Sequence, residues 1–408
     1  MRKFLILAVA LAFVGGAAVA QADEYVKGQF ELSGHVNTGA SFQHNGANGA
    51  SASVIGSTAV VAGVNAANSG PLANHGPQGD LTIQNTAGPA GTTAAGVSSE
   101  SLLFFVDEFE LDAMRSFGEN IRARADMSMG RLNSGTGFAA GFNLEQAYAT
   151  ANIPVGNGVE FLIGRFDTPI GFESVERGEN TLFSHSLIFN GLRPHQTTGI
   201  KVYYPFSDMV DWHLYIVNNL RDEFATATDH LYPSFGTRVG FNWGEEGKRS
   251  TLGISAAGGP EVIGTAATGK MGDWTFMGDV DWNVWLTDAF AVGGEGIFRQ
   301  DSAAAGATDS KYFAGQLNLN YVFNDVWDGT LRYVYAQQNA GAGTLSTQLV
   351  DSTAPGAKSK VHEVTLGGQY QIADGAKIQL EYRFDIIKPS AAARGTAHGG
   401  LVNFTYDF

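Results

Sequence analysis

From Val26 to Phe42 the even positions carry Val26, Gly28, Phe30, Leu32, Gly34, Val36, Thr38, Ala40 and Phe42, and the odd ones begin Lys27, Gln29, Glu31, Ser33, His35 and Asn37. A period of two gives an extended segment one apolar and one polar face. The segment outruns the ~5 to 6 residues of an ordinary globular strand and suits a tilted strand crossing a bilayer. After the N-terminal leader, no segment holds the ~20 consecutive apolar residues of a membrane helix. If the chain crosses a membrane, it crosses as strands.

The same alternation closes the chain. Gly400, Val402, Phe404, Tyr406 and the terminal Phe408 share one face, and Leu401, Asn403, Thr405 and Asp407 the other. Between the two ends, strand-like segments and turns follow one another from Leu102 onward, for about sixteen strands in all, an even number. Short connections such as Phe117–Asn120, Pro154–Gly158, Asn324–Asp328 and Ala373–Gly375 alternate with long ones such as Leu132–Gly141, Gly171–Gln196, Asn339–Ser359 and Lys388–His398. Short periplasmic turns opposite long extracellular loops are the habit of outer-membrane barrels. The expected fold is therefore all-β: a transmembrane antiparallel β-barrel of about sixteen strands.

The leader agrees with that destination. Met1, Arg2 and Lys3 precede an apolar run from Phe4 to Val14, and Ala20-Gln21-Ala22 offers small residues before Asp23. Residues 1–22 read as a secretory signal peptide and 23–408 as the barrel. Without Arg2 and Lys3, 23 basic face 40 acidic residues, a net charge of about −17, which argues against nucleic acid as a partner. Cysteine is absent, so an exported chain of this length is stable without disulfides. Charged residues are 16% of the chain against about 25% in soluble domains, as a lipid-facing surface requires. The tract from His44 to Glu100, rich in Gly, Ala, Ser and Asn, has too little to bury and reads as a long outer loop, with room for a short hairpin at Ser57–Val64.

Alternation also supplies an inward list. With Ile121, Ala123, Ala125 and Met127 outward, Arg122, Arg124 and Asp126 point in; with Ile378, Leu380, Tyr382, Phe384 and Ile386 outward, so do Lys377, Gln379, Glu381, Arg383 and Asp385. Arg238 joins them between Thr237 and Val239. Turning an Arg or Lys toward lipid at the midplane costs about 2 to 4 kcal/mol, so that face demands water. Arg165 shares its parity with Val159, Phe161 and Ile163, and its direction stays open.

The segment 171–196 stands apart among the long connections. It mixes Glu173, Glu176, Arg177, Glu179 and Arg193 with Phe172, Phe183, Leu187, Ile188 and Phe189, so it has charge and something to bury. The expectation is a loop folded into the lumen, with its apolar side chains on the wall and Glu173, Glu176 and Glu179 opposing Arg122, Arg124 and Arg383. Opposed rows of charge at a narrow point favour hydrated solutes.

Other motifs fail. Gly264–Lys270 reads GTAATGK, but Met271 replaces the Ser or Thr of a phosphate-binding loop. Asp279, Asp281 and Asn283 mimic the start of a calcium loop, yet Val284 and Phe290 occupy its glycine and closing glutamate positions. The nine histidines lack paired metal spacing, although His185 and His195 flank the central loop, and no G-x-S-x-G elbow occurs. No cofactor and no catalytic set is expected.

The stretch Phe161–Tyr204 carries Gly164-Arg165-Phe166, Thr168-Pro169-Ile170-Gly171 with Glu173, Ser184-His185-Ser186 and Thr198-Gly199, with Leu144–Tyr148 upstream and Val217-Asn218-Asn219 beyond. These residues resemble the putative beta-barrel porin-2 family, the OmpL-like branch of bacterial porins. The resemblance implies an outer-membrane channel. The expected function is passive diffusion of small hydrophilic solutes and ions, weakly cation-preferring from the acidic balance. The barrel's partners would be outer-membrane lipids, the solutes themselves and, by analogy with other porins of this strand number, two more copies in a homotrimer. Alternatives are a channel selective for phosphate or other anions, a structural or adhesive surface protein acting through the 44–100 tract, and an outer-membrane enzyme.

Overall fold

The computed structural model describes residues 30–47, 99–132, 139–220, 233–245, 247–260, 274–302, 309–339, 358–389 and 395–408. The leader, most of the 44–100 tract with its Ser57–Val64 hairpin, and the Gly264–Lys270 loop lie outside the described residues. Among the described residues, sixteen strands form a closed antiparallel barrel in simple chain order, the last returning to the first. They are β1 (Phe30–Ala47), β2 (Ser99–Phe117), β3 (Ile121–Leu132), β4 (Ala139–Ile153), β5 (Val159–Asp167), β6 (Gln196–Ser207), β7 (Val210–Val217) and β8 (Ser234–Trp243). The second half comprises β9 (Ser250–Pro260), β10 (Trp274–Trp285), β11 (Phe290–Asp301), β12 (Ser310–Asn324), β13 (Trp327–Asn339), β14 (Lys358–Ala373), β15 (Ala376–Pro389) and β16 (Gly395–Asp407).

Period-two patterning sorts the faces as expected. Leu32, Phe104, Phe276, Phe313, Leu366 and Val402 are exposed on the outer surface, while Asn37, Asp126, Glu295, Arg332, Glu363 and Thr405 are buried on the inner one. Closure is carried by the chain's end. Phe408 N–H donates to Gly34 O at 2.9 Å and Gly34 N–H to Phe408 O at 3.0 Å. One layer inward, Thr405 Oγ donates to Asn37 Oδ1 at 2.8 Å across the same seam.

Two differences from the sequence expectation have the same cause. His44 pairs with Glu100 and Asn45 with Ser99, so β1 and β2 run into the glycine- and alanine-rich tract. Likewise Ile387 pairs with Gly395, and β15 and β16 leave only residues 390–394 between them. A backbone ladder needs N–H and C=O groups, not a side-chain pattern, so pairing continues where alternation has stopped.

The inner face is not polar throughout. Tyr215, Val217, Ala257, Met277, Ile297, Tyr312, Ala314, Val334, Ala336 and Val361 make an apolar band that crosses β7 and β9 to β14. The band shares the inward parity of the charged residues but sits at a different height: Met277 precedes Asp279, and Val334 follows Arg332. Leu187, Ile188 and Leu192 of the segment between β5 and β6 are buried in this same cluster. Each such side chain contributes roughly 1.5 to 3 kcal/mol on full burial, enough to hold a loop against a wall.

Candidate functional site

The segment Thr168–His195 leaves the barrel wall at β5 and returns at β6. Its base is tied shut: Thr168 N–H donates to His195 O at 2.7 Å and Thr168 Oγ to Pro194 O at 2.6 Å. Gly164, just before it, has φ +139° and lies against the Ala147 carbonyl and Tyr148, a place and a conformation that no side chain suits. Leu162 and Phe166, on either side of it, stay on the same inner face. Arg165 and Phe166 are both buried, and Arg165 Nε donates to Leu144 O at 3.0 Å, so its head is held against the β4 backbone.

Inside the barrel the segment crosses to the opposite wall. Phe172 N–H donates to Glu295 of β11 at 3.1 Å. Glu173 accepts from Ser186 N–H at 3.0 Å and from Arg332 Nη1 of β13 at 2.8 Å. A 3-10 turn, Arg177–Glu179, is braced by Asn180, whose side chain accepts from Ser174 N–H at 2.9 Å and donates to Glu176 O at 3.2 Å. A single-turn helix, α1 (Leu187–Gly191), follows; Ser186 caps it by accepting from Phe189 N–H at 3.3 Å. The helix rests on β12 and β13.

The wall meets the segment with paired charges. Arg332 is fully buried; it donates to Glu363 at 2.7 Å, to Glu173 at 2.8 Å and to Ser184 O at 2.6 Å. Glu363 also lies 3.1 Å from Arg383, which in turn bonds Asp385 at 3.1 Å and His185 O at 3.2 Å. Glu381 receives the backbone N–H groups of Phe183 and Ser184 and the Ser184 hydroxyl. Arg299 reaches Leu192 O at 3.2 Å. On the far side Arg177 lies 3.7 Å from Asp107, and Glu176 3.8 Å from His35.

The expected opposition of glutamates to Arg122, Arg124 and Arg383 is therefore corrected. Glu173 faces Arg332, Glu176 faces His35, and Glu179 receives the Ser174 hydroxyl at 2.5 Å. Arg383 lies under the loop but spends its bonds on His185 O, Glu363 and Asp385; for Arg122 and Arg124 the reason is height. Glu110 of β2, beside Glu176, is level with Ser128 of β3, which puts Arg124 and Arg122 further along toward the short turn. There Arg124 pairs with Asp126 at 2.7 Å, Asp126 also accepts from Gln146 at 2.7 Å, and Arg122 is exposed. Arg238 pairs with Asp281 of β10, and Asp281 and Asp279 are both inward and buried, as alternation rather than a calcium loop requires. Glu381, Arg383 and Asp385 lie on the inner wall under the loop.

Arg332, Glu363 and Glu295 are absent from the inward list. For two of them the pattern carries the signal, since Leu331 and Tyr333 flank Arg332 and Val364 follows Glu363, all three exposed; Glu295 sits between Gly294 and Gly296, which give none. His185 and His195 do meet, through a third residue: both stack on Phe189, at 3.5 and 4.0 Å between ring centres. His185 Nε2–H donates to Ser174 O at 2.9 Å. Burial and the Arg177 guanidinium push its pKa well below the usual imidazole value, so it is a neutral structural group. Burial and the carboxylates of Glu145 and Glu108 push Glu176 the other way, well above the ordinary carboxyl range.

The family model described as Putative beta-barrel porin-2, OmpL-like, matches residues 29–406. Among curated proteins none matches the chain. Among solved structures, the chain is similar to the outer membrane channel DcaP of Acinetobacter baumannii, at 12% identity over 96% of this chain and 100% of that one, with a TM-score of 0.59. It is similar to an anion-selective porin from Comamonas acidovorans at 15% identity, over 93% and 100% of the two chains, with a TM-score of 0.53. The trimer form of OmpT of Vibrio cholerae matches at 11% identity, over 93% and 99%, with a TM-score of 0.53. At these identities the likeness is one of fold.

Proposed function

Because the chain belongs to the Putative beta-barrel porin-2, OmpL-like family and is thus a barrel of the bacterial outer membrane, we propose that it is a water-filled channel for passive diffusion of small hydrophilic solutes and ions, with Thr168–His195 as its constriction. Residues 1–22 are then the cleaved leader, the longer connections face outward, and the working form is a homotrimer, as in the OmpT trimer form. The observation that carries the reading is the loop's course: it spans the interior from β5 to Arg332 and back, held by buried ion pairs and an apolar floor.

A weak preference for cations follows from how the interior charges are spent. Arg332 and Arg383 are already bonded to Glu173, Glu363 and Asp385. The opposite wall gathers Glu108, Glu110, Asp112, Asp126 and Glu145, with Arg124 and Arg177 near it. An excess of one sign on low-dielectric walls raises the local concentration of the other. The anion-selective reading has the Comamonas porin's likeness in its favour, but an anion would have to displace carboxylates from the arginines.

Planar-bilayer recording of the purified protein tests this. Stepwise conductance with a reversal potential on the cation side of a salt gradient is expected, and it should persist when residues 48–98 are deleted. Folded protein that gives no conductance removes the channel reading; anion selectivity removes the cation preference; loss of every step on the deletion moves the function to that tract.

A further inference from the structure

The loop touches the barrel at a second place, away from its apolar floor. His35 of β1, Glu108 and Glu110 of β2 and Glu176 of the loop each present one donor atom to a common centre, and these four atoms lie within 4.8 Å of one another. His35 Nε2 is 3.4 Å from a Glu108 oxygen, 4.0 Å from Glu110 Oε2 and 3.8 Å from Glu176 Oε2. The cluster sets one imidazole among three carboxyl groups.

Glu110 adds an independent sign of a missing partner. Its residue is 1% exposed, and Oε2, the oxygen turned toward His35, is buried without a hydrogen-bond partner. A buried acceptor in a folded protein is ordinarily paired, so an oxygen left open toward three other metal-type donors points to a cation among them. The loop side of the cluster is held in place by Arg177, 3.7 Å from Asp107 of β2, next to Glu108 in sequence.

We propose that His35, Glu108, Glu110 and Glu176 bind one divalent first-row transition-metal ion, Zn2+ being the simplest case, and that the ion ties the loop to the β1–β2 wall. The imidazole nitrogen selects such an ion over Ca2+ and Mg2+, which prefer all-oxygen sets. Tetrahedral Zn2+ with bonds of about 2.0 to 2.2 Å places its donors about 3.4 Å apart. The His35–Glu108 spacing already meets that, and the remaining spacings, all within 4.8 Å, would close by rotation of flexible glutamate side chains.

The assignment does not depend on conduction, because binding is read on the detergent-solubilised full chain. After chelator treatment, titration calorimetry with ZnCl2 should show one saturable site per chain, with CaCl2 failing to compete. Glu176→Gln and His35→Gln should each weaken Zn2+ binding by roughly tenfold or more, while His398→Gln, on a different part of the wall, leaves it unchanged. Glu176 lies outside the strands, so Glu176→Gln carries the test should His35→Gln fail to form a barrel. Absence of saturable Zn2+ binding, or binding as tight in Glu176→Gln as in the parent, overturns the assignment.

Discussion

Arg332 holds three groups at once, Glu173 from the loop, Glu363 from the neighbouring strand and the Ser184 carbonyl. Removing one partner of a buried pair leaves the other charge without compensation, at a cost of about 3 to 5 kcal/mol. Arg332→Ala should sit at the lower end, since Arg383 still lies 3.1 Å from Glu363. The expected outcome is protease cleavage within 168–195 in a barrel that otherwise resists heat; a loop as protected as the parent's would show that the apolar contacts alone hold it. His185 sets a pH dependence of the same docking. Its docked pKa is held low by burial and by Arg177, against about 6.5 when free, so below that value only the released loop takes up a proton. Docking should therefore weaken as pH falls below about 6.5, with a slope of at most about 1.4 kcal/mol per pH unit, and strengthen as pH rises toward it. Thermal unfolding of the parent and of His185→Phe from pH 7.5 to 5 checks the sign: the parent's midpoint should fall more steeply.

At the scale of elements, the strands could be read from the sequence and the loop's partners could not. Period two assigns Val402 and Phe404 outward and Asn403 and Thr405 inward without ambiguity, because a slip of one residue would turn every side chain over. The same logic reaches Arg332 and Glu363. It gives a face, however, and no height, and height decides who meets whom. Arg124 and Glu176 both point into the barrel, yet at different levels of the wall, where each finds another partner. The apolar band is invisible to single-strand patterning for a related reason. Met277, Ile297, Val334 and Val361 each look like an interruption in one strand; only the register across neighbouring strands joins them into a floor for α1. In β5 Arg165 and Phe166 are both buried although strict alternation would expose one of them, and no pattern of side-chain types records that.

At the scale of the whole molecule, the barrel depends on a seam between residues far apart in sequence. Phe408 contributes two backbone hydrogen bonds to Gly34, and its ring stacks on Phe109 at 6.0 Å. Each such bond nets about 0.5 to 1.5 kcal/mol, so deleting Phe408 should lower stability by about 1 to 3 kcal/mol. A smaller heat-resistant folded fraction on semi-native gels is expected; an unchanged fraction would place closure in the inner layer of Asn37 and Thr405. The loop's course extends this to the order of assembly. It issues from the middle of the chain, yet it grips β13, β14 and β15 on one side and β1 and β2 on the other. The β13–β15 part of its berth and the β1–β2 part are brought together only when the first and last strands meet. A complete set of loop contacts therefore requires a closed barrel, whereas closure of the wall does not by itself require a seated loop.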